Sequence, residues 1–156
     1  MAIETSKINY GGDMMLFVNA SGSTGQPLGF STNAKFEITL KTRNVGSKDS
    51  GNWDESAAGK MSWSASSDAL VAEGLVTATG LQTYDELYTM MISRVPIVFV
   101  FGSATGTAPA WTVSAVAGKK KFSGMAFITS LSVNAPDGDN ASYSINLVGT
   151  GALVMS

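Results

Sequence analysis

Two runs of strict alternation bracket a long stretch that alternates nowhere. Phe36, Ile38 and Leu40 interleave with Lys35, Glu37, Thr39 and Lys41; further on, Met61, Trp63 and Ala65 interleave with Ser62, Ser64 and Ser66. A period of two sends successive side chains to opposite faces, so each run reads as a strand that buries one face. The segment between them, Thr42 to Gly59, holds three glycines, neither Ile nor Leu, and a lone tryptophan, Trp53, among Lys48, Asp49, Asp54 and Glu55. Connections in compact domains usually run to about four to six residues, and a much longer one is commonly functional. The expectation is a sheet carrying a long exposed loop, 42–59.

Composition supports the same class. The 156 residues include 17 glycines and are 44% hydrophobic but only 14% charged. Glycine serves turns, and β-branched and aromatic residues suit a pleated surface, so short strands are favoured over helices. A chain of this length reads as one domain, 1–156, able to bury about 68–70% of its extended surface. A net charge of −2 argues against binding nucleic acid by phosphate neutralisation. Cysteine and histidine are both absent. Disulfides, Cys/His zinc sites, thiol nucleophiles and Ser-His-Asp triads are therefore excluded by count. The first residues, MAIETSKINYGGD, lack an apolar signal region, and no run approaches the about 20 apolar residues of a membrane helix, so assembly in the cytoplasm without membrane insertion is expected.

In chain order, residues 1–12 read as a polar N-terminal arm, Met14 to Val18 as a strand, and Asn19 to Asn33 as a Gly/Ser/Pro-rich turn region. Ala69 to Gly80 is ambiguous between a helical turn and an extended connection. Leu81, Tyr84, Leu87, Tyr88 and Met91 then recur at helical spacing. Thr83 with Glu86 forms a capping box, Arg94 suits a helix C-terminus and Pro96 ends the helix, which predicts about three turns over 81–94. Pro96 to Phe101 is apolar throughout and predicts a strand buried on both faces, followed by a small-residue loop, 102–110, and a strand over 110–117. Lys119, Lys120 and Lys121 open a long strand with Met125, Phe127, Leu131 and Val133 on one face. Pro136-Asp137-Gly138 turns it into a returning strand with Tyr143, Ile145 and Leu147. The sum is a mainly β domain with one helix.

Catalytic and ligand motifs do not assemble. GSTG at 22–25 and Gly118-Lys119 both lack the full phosphate-loop pattern. Asp137-Gly138-Asp139-Asn140 lacks the later ligands of a calcium loop and reads as a hairpin turn. The adjacent carboxylates Asp54-Glu55 and Asp85-Glu86 point apart on a strand or a helix, so neither pair converges on a bond. Asn19-Ala20-Ser21 and Asn140-Ala141-Ser142 match the glycosylation sequon by chance in a chain without a secretory signal. No catalytic, metal or cofactor site is expected.

Two blocks carry a family resemblance. T-R-N-V-G-S-K-D-S-G-N-W-D-E-S (Thr42 to Ser56), followed by K-M-S-W-S-A-S-S-D-A-L (Lys60 to Leu70), resembles the major tail proteins of tailed phages, the subunits of the tail tube. G-M-A-F-I-T-S-L-S-V-N-A-P-D-G-D-N-A-S-Y-S-I-N-L-V-G-T-G-A-L (Gly124 to Leu153) is similar to the C-terminal hairpin of that family.

The resemblance implies a β-sandwich or partial barrel with one flanking helix, and a virion structural protein that closes into homohexameric rings. Such rings stack into a hollow tube around a tape-measure protein, end on tail-tip and terminator proteins, and conduct the genome. It implies that the loop bearing Arg43, Lys48, Asp49, Trp53, Asp54 and Glu55 crosses to a neighbouring subunit or ring. Lys119, Lys120 and Lys121 either guard a strand edge or meet an acidic patch such as Asp54-Glu55 on the next subunit. Trp53 either folds back on its own core or anchors on a neighbour, and its hydrophilic setting favours the neighbour. A channel for DNA should not hold phosphates, so its lining should be small, polar or acidic. Ser62, Ser64 and Ser66, or the face of Glu37 and Thr39, are the alternatives for that lining. Two other readings compete: the inner tube of a contractile tail or injection system, and a carbohydrate-binding β-sandwich, for which the dispersed Trp53, Trp63 and Trp111 make a poor platform.

Overall fold

The computed structural model describes residues 10–19, 26–72, 81–107, 110–113 and 119–156. Most of the expected N-terminal arm, most of the ambiguous 69–80 segment and the end of the expected 110–117 strand lie outside them. The elements are a 3₁₀ turn (Gly11–Asp13), β1 (Met14–Asn19), β2 (Gln26–Pro27), β3 (Ser31–Asn44), β4 (Ser56–Leu70), α1 (Tyr84–Ser93), β5 (Ile97–Thr107), β6 (Ala110–Val113), β7 (Phe122–Asn134) and β8 (Ser142–Met155). The strands form one antiparallel sheet in the order β2-β1-β5-β7-β8-β4-β3, with β6 paired to β5. No described helix is long and apolar enough to cross a membrane.

Cross-strand registers define the core. Phe36 stands opposite Ala65, Ala65 opposite Leu147, and Leu147 opposite Ile128. The next row runs Ala34, Ser67, Ile145, Leu131, and the one after that ends in Ala69, Tyr143 and Val133. Phe36, on the last strand of the order, also stacks on Phe99 and Phe101 of β5, each at 5.7 Å between ring centres, and meets Phe122 at 5.0 Å. The sheet therefore rolls until β3 covers β5, which gives the partial barrel that the resemblance implies. Leu16, Val18, Leu28, Trp63, Ile97, Phe99 and Ala126 complete the buried cluster.

The helix covers this core from the side of β7. Its N-terminus is set as the capping box predicts, the Thr83 N–H donating to Glu86 Oε2 at 3.1 Å, and Arg94 ends it in a left-handed conformation with φ of 55°. Leu87 is buried, and Tyr84 meets Tyr143 edge-on at 5.9 Å. Tyr88, expected on the apolar stripe, faces out.

Three expectations change. β5 does not stop at Phe101 but runs through the expected loop to Thr107, its far end pairing with β6. Small residues make that extension possible: a Cβ on Gly102 would sit 2.9 Å from the Lys121 Cβ. Nor is β5 buried evenly on both faces, since Ile97 and Phe99 are buried while Val98 and Val100 are half-buried. On β7, Met125, Phe127, Leu131 and Val133 do not share one face. A register shift between Ile128 and Ser130 exchanges the faces, so Ala126, Ile128 and Leu131 turn to the core and Phe127 turns out.

Candidate functional site

The side of the sheet away from the core is built by the same registers. Lys35 stands opposite Ser66, Ser66 opposite Asn146, and Asn146 opposite Ser130. The next row is Glu37, Ser64, Val148, Phe127; the row on the other side is Asn33, Asp68, Ser144, Ser132; and Thr39 stands opposite Ser62. The two alternatives for a channel lining, the serines and the Glu37/Thr39 pair, are thus one continuous face. It is dominated by hydroxyls and amides that bond one another: Asn146 Nδ2 donates to Ser130 Oγ at 2.7 Å, and Ser144 Oγ to Asp68 Oδ1 at 2.6 Å. Lys35, the cation in these rows, pairs with Glu37 at 3.1 Å.

This four-stranded face ends in two open edges. β3 pairs with β4 alone, and β7 beyond Ala126 pairs with β8 alone, so residues 31–44 and 127–134 each leave a row of backbone groups without a described strand beside them. Unpaired edges of this length are templates for pairing with another chain.

The long hairpin is longer than its alternating residues indicate. Thr42 pairs with Ala58, Arg43 with Ala57 and Asn44 with Ser56, so Arg43 belongs to β3 and the true connection is 45–55. That connection is organised by its own polar groups. The Val45 N–H donates to the Glu55 carbonyl at 2.8 Å, the Gly46 N–H to Asn44 Oδ1 at 2.7 Å, and the Ser47 N–H to Ser50 Oγ at 2.9 Å. Trp53 is 84% exposed at this tip and does not fold back on the core. Lys48, Asp49, Asp54 and Glu55 surround it in sequence, all exposed.

Behind the tip the sheet forks. β4 leaves β8 after the Ser64–Val148 pair; residues 56–63 continue with β3 alone and 149–155 with β7 alone. Trp63 occupies the fork, its indole packed on Gly149 and Gly124, where an added Cβ at Gly124 would lie 2.8 Å from the ring. The Trp63 Nε1–H donates to the Gly151 carbonyl at 3.4 Å. Between the two arms lies a groove of about 480 Å³ lined by Ile38, Met61, Trp63, Phe122, Leu153 and Met155. The lysine run lies at one end of it: the Lys121 and Ser156 backbones exchange hydrogen bonds at 2.9 and 3.0 Å beside Phe122 and Met155. The chain does not bring Lys119, Lys120 and Lys121 onto its own Asp54 and Glu55 by any described ion pair. The fork and its groove are invisible to alternation, because they arise where one ladder ends. The glycines at 124, 149 and 151 are the sequence signal that could have pointed to them.

Among the described residues no three acidic side chains group as metal ligands. Tyr143, 2% exposed, keeps its hydroxyl without a partner, and burial pushes its phenol up to about 12. It faces the core, where its ring meets Tyr84 of the helix.

The sequence profile described as phage tail tube protein matches residues 103–155, the β5-to-β8 half of the face and fork. No curated relative matches the sequence. Among solved structures, the fold is similar to a chain of the tail of an empty gene transfer agent particle, refined with C6 symmetry, with a TM-score of 0.72 and 18% identity over 96% of this chain and 99% of that one. A chain of the native gene transfer agent virion gives 0.71 and 16% over the same shares. The SPP1 tail tube gives 0.67 and 11% over 94% of this chain and 78% of that one. Over nearly its whole length the fold is thus similar to that of tail tube subunits, and residues 103–155 match the phage tail tube profile.

Proposed function

We propose that this chain is the major tail tube subunit of a tailed phage or a phage-like particle, closing into hexameric rings that stack into a hollow conduit. The observation that carries the reading is the four-stranded face of β7, β8, β4 and β3, mostly polar apart from Val148 and Phe127 and open at both edges. Joining the β3 edge of one subunit to the 127–134 edge of the next removes both hazards and extends the sheet around a closed ring. Six copies follow the C6 symmetry of the gene transfer agent tail to which the fold is similar. The inward face is then the rows of Glu37, Thr39, Ser62, Ser64 and Ser66.

A lining of this kind suits transport. Hydroxyls and amides already bonded to one another offer DNA phosphates few strong donors, Lys35 is held by Glu37, and the remaining cation of the β3 row, Lys41, stands toward the hairpin end of the face. The protein's task is structural, and its further partners are the tape-measure protein inside the tube and the tip and terminator proteins at its ends. Assembly takes place in the bacterial host's cytoplasm, and the finished location is the virion tail. The inner tube of a contractile tail shares this geometry; a sheath gene beside the subunit's own separates the two.

A helical reconstruction of assembled tubes tests the proposal. The Ser64 and Asn146 rows are expected to face the lumen. A lumen lined with unpaired lysine and arginine, or a tube with these rows on its outside, would contradict it.

A further inference from the structure

The fork holds an apolar groove and the hairpin tip holds an apolar knob, and one chain cannot join them. Met61 and Met155 on the groove wall are 69% and 59% exposed, and Trp53 is 84% exposed. Five residues of extended strand separate Met61 from Ser56, about 17 Å at some 3.3 Å per residue, so the tip stands well clear of its own groove. Large exposed apolar surface on a soluble chain marks a site of association, and tryptophan is foremost among interface anchors.

Charge identifies the occupant. Trp53 is followed at once by Asp54 and Glu55, with Lys48 and Asp49 on its other side, so the charges around it are net acidic. Cations stand at one end of the groove: Lys120 and Lys121 precede Phe122, which lines it. The Lys121–Ser156 backbone pair holds that basic run against the groove's end. A knob with a net acidic collar therefore matches a socket with a basic end, and both belong to the same chain.

We infer that the Trp53 tip of one copy inserts into the Met61–Trp63–Met155 groove of another, with Asp54 and Glu55 beside Lys120 and Lys121. This rests on the tube reading and names the receptor for the long hairpin. Knob and socket are different surfaces, so the contact is head-to-tail and propagates from ring to ring instead of closing on a pair. The Trp63 indole, fixed by Gly124, Gly149 and the Gly151 carbonyl, forms a rigid wall for the incoming ring.

The chain has no cysteine, so engineered thiols report without background. Asn52→Cys and Met61→Cys proteins, which keep Trp53, are mixed, assembled and oxidised; an Asn52→Cys with Ser66→Cys mixture, which places the second thiol on the polar face, is the control. The socket mixture is expected to give a covalent dimer that neither variant gives alone and the control does not give. Trp53→Ala, with its fold checked by circular dichroism, is expected to raise the concentration needed for assembly about tenfold or more. Lys120→Glu with Lys121→Glu should impair assembly, and adding Asp54→Lys with Glu55→Lys to the same chain should restore it. Tubes that form without a socket-specific dimer overturn the insertion and leave the tube standing. Socket-specific dimers without tubes leave the insertion standing and count against the tube. Neither tubes nor dimers overturns both.

Discussion

Tyr143 is a buried phenol that nothing stabilises in its charged form. Its titration is pushed from 10.0 to about 12 by burial, and its hydroxyl has no partner. Its contribution to stability is complete below pH 10, where folded and unfolded chains are both protonated. It is lost as pH rises toward 12, because the unfolded chain ionises first. The loss amounts to roughly 2–3 kcal/mol, and urea midpoints measured from pH 8 to 12 should fall accordingly. Tyr143→Phe is expected to remove most of that fall while leaving stability at pH 8 unchanged or slightly higher, since it deletes an unsatisfied polar group. Gly149 carries the opposite kind of constraint. A methyl group there collides with the Trp63 indole, so Gly149→Ala should cost about 1–3 kcal/mol and lower the thermal midpoint by several degrees. Trp63→Leu in the same chain should recover part of the loss.

Among the elements, those whose one face meets the core could be read directly from the sequence. Phe36, Trp63, Ala65, Ile145 and Leu147 all lie where alternation puts them, and Thr83 with Glu86 starts the helix. Glu86→Ala should cost about 0.5–1 kcal/mol through the lost cap. Where an element leaves the core, the signal vanishes. Residues 42–44 and 56–58 are ladder-paired, yet all but the half-buried Ala57 are exposed, so they carry no hydrophobic period and read as loop. The bulge near Thr129 misled in another way, since one extra residue turns a correct alternation onto the wrong face. That the serine row and the Glu37/Thr39 row form one surface could not be read at all, because it depends on the β3–β4 register. Open edges give this scale its own test. Amides in 31–44 and 127–134 that point away from their partner strand should exchange quickly in the free subunit and become protected on assembly, as measured by hydrogen exchange. Unchanged exchange at both edges in assembled tubes would mean the rings close by some other surface.

For the whole molecule, the mostly polar face, the two open edges and the forked hairpin are the features that the proposed tube subunit would present to copies of itself. The most direct measurement is electron microscopy of the purified protein in negative stain at rising concentration. The account predicts hollow rings that give way to tubes of constant bore and six-fold end views, lost or sharply delayed in Trp53→Ala. Compact single particles at every concentration, still present after tube ends of the same particle are supplied as seeds, would contradict it.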